Sequence, residues 1–219
     1  MKKAEVRARI EEIGIIPAIR VSTRELARFA IEAINRAGIP IAEVTMTVPN
    51  ALDVISQLAR SLPEMIVGAG TVLDTETAQR CLDAGAKFLT SPGLVMEVVE
   101  FAVRKDLVVF PGVLTPTDVI MAWKAGADFV KIFPCAQVGG PAYIRALKVP
   151  LPQVPLIASG GVNQQSAPNF IRAGATALGI GSELIPHEAL HRRQEAQIHE
   201  LARRFLAMVK NTREEHGRP

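Results

Sequence analysis

The segment Ala125-Gly126-Ala127-Asp128-Phe129-Val130-Lys131-Ile132-Phe133-Pro134 joins the end of a helix to a buried strand and so sets the architecture of this chain. Gly126 ends the helix in a left-handed conformation, and its small neighbours let the chain turn tightly. The apolar, aromatic and β-branched run that follows, stopped by a proline, is typical of a buried strand. Because side chains alternate along a strand, Phe129, Lys131 and Phe133 share one face.

The same helix-to-strand junction occurs four times in the chain. The copies are Ala37-Gly38-Ile39, Ala84-Gly85-Ala86, Ala125-Gly126-Ala127 and Ala173-Gly174-Ala175, and their glycines are separated by 47, 41 and 48 residues. Each interval has room for two strand–helix units, so four copies predict eight strands. The pattern therefore predicts an α/β protein with a closed (β/α)8 TIM barrel. An open doubly wound sheet is the alternative, but the near-even eightfold count argues against it.

Eight segments have the composition of buried strands, with amphipathic helical patterns between them. The predicted strands are Ile15–Arg20, Pro40–Thr45, Met65–Ala69, Lys87–Thr90, Leu107–Phe110, Asp128–Ile132, Val154–Ala158 and Thr176–Gly179. We predict an N-terminal helix over Met1–Glu12, a long C-terminal helix over His187–Lys210, and a frayed polar tail over Asn211–Pro219. The alternation leaves no room for a second domain, so residues 1–219 are predicted to form a single barrel domain.

Composition and charge narrow the class of protein. Hydrophobic residues make up 48% of the 219 residues and charged residues 21%, enough apolar material for a substantial core. Without a long apolar stretch or a signal core, we expect a cytoplasmic protein with no membrane partner. The net charge is only +3 and the basic residues of the tail alternate with glutamates, which argues against nucleic-acid binding. Cys81 and Cys135 lack zinc or redox spacing and are expected to be reduced thiols.

Lys131 and Glu43 are the candidate catalytic residues. A lysine between two phenylalanines of a buried strand loses hydration, and burial favours the uncharged amine that attacks a carbonyl. The alternative is a buried stem whose ammonium group reaches water at the strand end. Glu43 follows Ile39 and Ile41 on one strand face, so its carboxylate is also predicted to point into the barrel. There it would pair with Lys131 or Arg20, as a proton shuttle or as half of a structural ion pair.

Polar residues and glycines follow all eight predicted strands, at the barrel end where enzymes of this fold carry out their chemistry. Besides the two catalytic candidates, they include Arg20, Thr47, Thr71, Ser91-Pro92-Gly93, Pro111-Gly112, Ser159-Gly160-Gly161 and Gly181-Ser182. The last two groups follow strands seven and eight, where such barrels often bind phosphate through backbone N–H groups. Glycine turns that need positive φ are the alternative for each group alone, but their joint position favours phosphate.

These residues resemble the 2-keto-3-deoxy-6-phosphogluconate (KDPG) aldolases, a family that includes enzymes cleaving 4-hydroxy-2-oxoglutarate (KHG). The resemblance spans about residues 12 to 186 and rests on seven ordered motifs. They are Glu43-Val44-Thr45, Gly68-Ala69-Gly70-Thr71-Val72, Ser91-Pro92-Gly93, Phe110-Pro111-Gly112-Val113, Lys131-Ile132-Phe133-Pro134, Ser159-Gly160-Gly161-Val162 and Gly179-Ile180-Gly181-Ser182. The resemblance implies a class I aldolase, without metal or cofactor, that reversibly cleaves a 2-keto-3-deoxy-6-phosphosugar acid into pyruvate and glyceraldehyde 3-phosphate. It also implies a homotrimer, the typical assembly of the family.

The resemblance implies roles for individual residues. Lys131 matches the Schiff-base lysine, and Glu43 matches the general acid/base. The further matches are Thr71 and Pro92 in the pyruvate pocket, Phe133 beside the lysine, and Gly160, Gly161, Gly181 and Ser182 at the phosphate. Ser159 stands where a threonine is common, and because both side chains carry a hydroxyl group we expect little consequence.

One position departs from the family pattern. Many members have an arginine two residues beyond the threonine that follows the glutamate, where it holds the pyruvate carboxylate. Here that position is Thr47. Since strands one and two are neighbours in a barrel, we expect Arg20, at the end of strand one, to supply the missing charge.

Three other functions fit parts of this pattern. The nearest is the same chemistry on 2-keto-3-deoxy-6-phosphogalactonate or on KHG, because a sequence does not define the configuration of one sugar carbon. A phosphosugar isomerase or epimerase would keep the glycine loops but needs no lysine on the buried strand. A non-catalytic barrel that binds a sugar phosphate gains little from a desolvated amine beside a carboxylate. We therefore favour the aldolase interpretation.

Overall fold

A computed structural model, which describes residues 1–215 and 217, shows eight parallel strands closed into a barrel in sequence order. The strands are β1 (Ile15–Ile19), β2 (Ile41–Thr45), β3 (Ile66–Gly70), β4 (Phe88–Ser91), β5 (Val108–Val113), β6 (Val130–Ile132), β7 (Leu156–Ser159) and β8 (Ala175–Ile180). Each predicted strand overlaps an observed one. The predicted (β/α)8 barrel is therefore confirmed.

Helices surround the barrel and close one end of it. They are α1 (Lys3–Ile13), α2 (Arg24–Arg36), α3 (Ala51–Ser61), α4 (Thr75–Asp83), α5 (Met96–Arg104), α6 (Pro116–Lys124), α7 (Pro141–Lys148), α8 (Ala167–Arg172), α9 (His187–His191) and α10 (Glu195–Glu215), with a 3₁₀ helix at Ala136–Val138. In the described part of the chain, no helix combines the length and the apolar character needed to span a bilayer.

The barrel interior is a layer of apolar side chains beneath the carboxyl ends of the strands. Its members are Ile16, Ile41, Ile66, Phe88, Val108, Phe110, Phe129, Ile157 and Ala177, together with Val6 and Ile10 of α1. The Phe110 ring centroid lies 5.0 Å from that of Phe88 and 6.2 Å from that of Phe129. Because α1 closes the amino end of the barrel, this apolar layer forms the floor of any site at the carboxyl ends of the strands.

The four repeated junctions have the conformation that the sequence predicts. Gly38, Gly85, Gly126 and Gly174 have φ angles of 98°, 99°, 93° and 107°. They follow α2, α4, α6 and α8, where a left-handed residue ends the helix. Any residue with a Cβ would be strained at these junctions.

The predicted long C-terminal helix is confirmed as α10, but it begins at Glu195 and not at His187, because the chain breaks between α9 and α10. Arg193 adopts a left-handed φ of 52°. Gln194 N–H then turns back to the carbonyl of Ala189 at 2.8 Å. The Arg193 guanidinium lies 4.8 Å from the centroid of the Phe29 ring, so a contact with α2 accompanies the break. Nothing in the local sequence, such as glycine or proline, marks it.

The predicted frayed tail is also helical for its first five residues, since α10 continues to Glu215. Arg213 accounts for this order. Its guanidinium donates to the carbonyls of Glu12 at 2.7 Å, Glu11 at 2.8 Å and Thr176 at 2.8 Å, tying α10 to α1 and β8. His216, Arg218 and Pro219 of the predicted tail lie outside the described residues.

Two residues near strand starts are placed differently from the prediction. Asp128 precedes β6, and its carboxylate accepts a hydrogen bond from Val109 N–H at 2.9 Å and pairs with Lys3 at 3.0 Å. Ile39 does not share the inner face of Glu43. It lies in the turn before β2 and packs in the outer core between barrel and helices.

Candidate active site

Lys131 and Glu43 meet directly above the apolar floor of the barrel. Lys131 projects from β6 and Glu43 from β2, and Lys131 Nζ lies 3.6 Å from Glu43 Oε2. The two side chains are only 9% and 5% exposed. Phe129, on the same face of the chain as Lys131, belongs to the floor, and the Phe133 ring centroid lies 5.5 Å from Nζ. The amine therefore faces a carboxylate and an aromatic ring in a largely desolvated setting.

Glycines on β3 make room for this pair. A Cβ on Gly68 would overlap the Phe88 ring, and one on Gly70 would overlap the Glu43 carboxylate. Gly68 is the register partner of Glu43 on the neighbouring strand. The sequence analysis identified these glycines only as members of a motif. Their steric role was not predictable, because it depends on how β2, β3 and β4 pair.

The pair lies in a cavity of about 370 Å³ at the carboxyl ends of the strands. Eleven predicted site residues line it: Arg20, Glu43, Thr71, Pro92, Lys131, Phe133, Ser159, Gly160, Gly161, Gly181 and Ser182. The volume is in the usual range for a small-molecule site. Because barrel enzymes carry out their chemistry at this end, we regard the cavity as the candidate active site.

Thr47 is the predicted site residue that does not line the cavity. Its side chain is exposed, and its hydroxyl lies 2.7 Å from that of Thr45. Thr45 in turn donates to the Ile19 carbonyl at 3.0 Å. Thr47, which is among the predicted site residues at the end of strand two, belongs to a chain of hydroxyl groups that ties β2 to β1.

Arg20 lies at the rim of the same cavity, immediately after β1. The register Ala18↔Glu43 brings the end of β1 beside the end of β2. Within residues 1–215, no side chain forms a hydrogen bond or ion pair with the Arg20 guanidinium. Its charge is therefore available to an anion in the cavity.

Thr71 lines the cavity in a strained backbone conformation. Its φ angle is 60°, which for a β-branched residue is a genuine outlier. Such conformations cost on the order of 1–3 kcal/mol and concentrate at functional sites, where the surrounding structure enforces them. The strained backbone of Thr71 therefore points to a functional reason for holding this residue in the cavity wall.

The loops after β7 and β8 line the cavity with glycines and serines. Gly160 and Gly161 have φ angles of 86° and 79°, and a Cβ on Gly161 would overlap Ala136. In the described chain, neither Gly161 N–H nor Ser182 N–H has a protein acceptor. Unpaired N–H groups of glycine loops are what an anion needs. The glycines therefore serve both a tight turn and an open donor site.

Sequence analysis missed several residues of the cavity wall. They are Ala18, Ile19, Val21, Glu183, Ile185 and His187, and the sequence analysis included Val162 and Gly179 only as members of motifs. Most are apolar residues that lie close in sequence to a predicted site residue. That closeness was the sequence feature from which they could have been predicted. Glu183 and His187 are ionisable residues at the connection from β8 to α9 and at the first position of α9. The sequence interpretation assigned these positions to a loop and to the start of the C-terminal helix.

The two cysteines lie outside this cavity. Both are buried, and burial raises the pKa of each thiol, Cys81 and Cys135, to about 12. A thiol nucleophile reacts as thiolate, which is scarce at neutral pH when the pKa is this high. Neither cysteine is therefore suited to nucleophilic catalysis.

Comparison with known proteins is consistent with this geometry. The family model described as "Aldolase: KDPG and KHG aldolase" matches residues 6–201. The chain belongs to the KDPG and KHG aldolase family. It is accordingly an aldolase, a carbon–carbon lyase.

Individual members of the KDPG and KHG aldolase family match between 79% and 90% of the chain. The KHG/KDPG aldolase of Escherichia coli K12 is 31% identical over 196 residues, covering 90% of this chain and 92% of that protein. A probable 2-dehydro-3-deoxy-6-phosphogalactonate aldolase of Rhizobium meliloti is 33% identical over 175 residues, covering 79% and 82%. The structure of Legionella pneumophila KDPG aldolase, with pyruvate captured as a covalent carbinolamine intermediate, matches with a TM-score of 0.82 at 28% identity, covering 90% and 96%.

Proposed function

We propose that this protein is a class I aldolase that reversibly cleaves KDPG into pyruvate and glyceraldehyde 3-phosphate through a Schiff base on Lys131. The observation that carries the proposal is the 3.6 Å separation of Lys131 Nζ and Glu43 Oε2 inside the cavity. An amine and a carboxylate at this distance are the nucleophile and the proton acceptor that Schiff-base chemistry requires. The covalent carbinolamine in the Legionella pneumophila relative supports the same chemistry.

The proposed reaction begins when the Lys131 amine, having passed its proton to Glu43, attacks the keto carbon of the substrate. Glu43 returns that proton to the hydroxyl group of the carbinolamine, which leaves as water to give an iminium. The iminium withdraws electrons from the neighbouring carbon–carbon bond. Glu43 accepts the proton of the substrate hydroxyl as that bond breaks, releasing the aldehyde and leaving an enamine on Lys131. Glu43 then returns a proton to the enamine carbon, and water hydrolyses the iminium to free pyruvate. No metal or cofactor takes part in this scheme.

The remaining cavity residues would orient the substrate. Arg20, with its unpaired guanidinium, is placed to bind the pyruvate carboxylate that Thr47 does not reach. Thr71 would add a hydroxyl contact. The free N–H groups of Gly161 and Ser182 would bind the phosphate at the other end of the cavity.

A second candidate differs only in substrate. The Rhizobium meliloti relative supports 2-keto-3-deoxy-6-phosphogalactonate, and the Escherichia coli relative supports KHG in addition to KDPG. A panel of the three substrates, compared by kcat/KM, separates these possibilities. The phosphate loops favour the phosphorylated sugar acids over KHG.

Sodium borohydride reduction in the presence of pyruvate tests the Schiff base directly. We expect a reduced pyruvyl adduct on the peptide that contains Lys131, found by mass mapping. K131M should lose the adduct, whereas K124M, a change at an exposed lysine of α6, should keep it. A folded wild-type protein without an adduct would overturn the proposal in favour of a phosphosugar isomerase, an epimerase or a non-catalytic barrel.

We also propose that the protein assembles as a homotrimer, as the resemblance to the family implies. Large apolar side chains that are exposed on the isolated chain support an interface. Those near the carboxyl ends of β3 and β5 and on α6 are Leu73, Leu114, Ile120 and Met121. Size-exclusion chromatography with light scattering should give three times the chain mass, and a monomer would contradict the proposal.

A further inference from the structure

His187 is a cavity residue to which the proposed reaction assigns no role. It is the first residue of α9, its side chain is exposed, and it lines the same cavity as Lys131. It follows the Gly181-Ser182 loop in the chain, so it belongs to the side of the cavity where β8 ends. This is the side assigned to phosphate, and one strand, β1, separates it from β2, which carries Glu43.

Among the described residues, His187 lines this side of the cavity and forms no hydrogen bond or ion pair through its side chain. Glu183, next to Ser182, also lines the cavity, and its carboxylate disfavours a bound phosphate there. Lys131 is paired with Glu43 and takes part in the chemistry. Arg20 is placed for the carboxylate end of the substrate. Apart from Lys131, the basic side chains that line the cavity are His187 and Arg20, which follows the neighbouring strand β1. Since Arg20 is assigned to the substrate carboxylate, His187 is left to offset Glu183.

We propose that His187, as imidazolium, binds the phosphate of the substrate and makes its affinity depend on pH. The proposal rests on the proposed function, because it needs a phosphorylated substrate with its keto end at Lys131. Histidine side chains change charge near neutral pH, so a phosphate contact made by the charged form weakens as the pH rises. An arginine in this position would give no such dependence.

Charged groups on the elements around α9 are already engaged with one another. On α9 itself, Glu188 pairs with Arg192 at 3.1 Å. On α10, Glu195 pairs with Arg36 at 2.7 Å and with His199 at 3.0 Å.

On α2, the nearby charges are also paired. Arg24 contacts Glu25 at 2.7 Å and Arg28 contacts Glu32 at 2.6 Å. Arg193, between α9 and α10, lies over Phe29. The charged groups that share the cavity with His187 are therefore Arg20, Glu183 and the Lys131–Glu43 pair.

The test compares the KM for KDPG at pH 6 and pH 8 in wild type, H187A, H187K and H191A. His191 is an exposed residue at the other end of α9 that does not line the cavity, so H191A is the matched control. At pH 6 we expect H187A to raise KM about three- to tenfold, as for a solvent-accessible charge contact, with kcat unchanged. At pH 8 wild type and H187A should converge, while H187K keeps the lower KM.

The phosphate group itself titrates near pH 6, and the ratio of H187A to wild type at each pH cancels that contribution. The same ratio with unphosphorylated 2-keto-3-deoxygluconate should be close to one at both pH values. Three results for the ratio of the H187A KM to the wild-type KM would overturn the role of His187. The ratio could be independent of pH, it could be equal for the two substrates, or H191A could reproduce it. Borohydride trapping of pyruvate on Lys131 needs no phosphate, so a trapped adduct in every variant shows that only this inference, and not the aldolase proposal, has failed.

Discussion

The carboxylate of Glu43 occupies the space that a side chain at Gly70 would fill, so the two residues on neighbouring strands exclude each other. In this position, Glu43 Oε2 lies 3.6 Å from Lys131 Nζ on β6. The geometry of the proposed acid/base group thus depends on the absence of a side chain one strand away.

Replacing Gly70 with alanine should displace the Glu43 carboxylate. We expect G70A to fold, since the Gly70 backbone is not in the left-handed region, but to lose about 100-fold in kcat because proton transfer is misaligned. Steady-state kinetics with KDPG measure this. G93A is the control, since a Cβ on Gly93 meets nothing within 4 Å. Equal kcat in G70A and wild type would show that Glu43 has room to move without loss.

Arg20 and Thr47 offer a paired test of carboxylate binding. R20A should raise the KM for pyruvate in the aldol direction about tenfold, because a charge-assisted hydrogen bond is lost. T47A should change it less than about twofold, since Thr47 contacts Thr45 outside the cavity. If T47A has the larger effect, the assignment of these two residues is reversed.

The backbone of Thr71 should lower the stability of the fold, while its hydroxyl group should contribute to pyruvate binding. T71G relieves the left-handed strain and should be about 1 kcal/mol more stable than T71A, which keeps a Cβ at the φ of 60°. Both variants lose the hydroxyl group, so both should have a higher KM for pyruvate than wild type, and by the same factor. Urea unfolding and KM measurements separate the two effects. Identical stabilities of T71G and T71A would argue against backbone strain.

Arg213 should matter for stability and not for catalysis. R213A leaves the carbonyls of Glu11, Glu12 and Thr176 without this donor. We expect the free energy of unfolding to fall by about 1–3 kcal/mol. R204A, on the same helix in an exposed i,i+4 pair with Glu200, should change it by less than about 0.5 kcal/mol. Urea unfolding with kinetics on the folded variants distinguishes the two roles.

The cysteines should be unreactive in the folded protein. Because burial raises the pKa of Cys81 and Cys135 to about 12 from 9.0, a disulfide-exchange reagent at pH 8 should label neither until urea is added. The same shift predicts that the folded state loses stability as pH rises from 9.0 toward 12, since only the unfolded thiols ionise there. Rapid labelling of the native protein would contradict the burial of both thiols.

Local sequence patterns determined the architecture of this protein. Glycines at positions 38, 85, 126 and 174 end helices because left-handed φ is a property of the residue itself. Alternation within one strand placed Phe129 and Lys131 on the same face, and the count of junctions predicted eight strands. Each of these inferences rests on conformational preferences and side-chain alternation among residues that are close in sequence.

Tertiary structure alone decided which side chains meet across strands. The exclusion between Gly70 and Glu43, the displacement of Thr47 from the cavity and the arrival of His187 at its rim all depend on strand register and loop path. The break at Arg193 likewise follows from packing against α2 rather than from a helix-breaking residue. These contacts join segments far apart in sequence, and such pairings are set by the closure of the barrel, which no local propensity encodes.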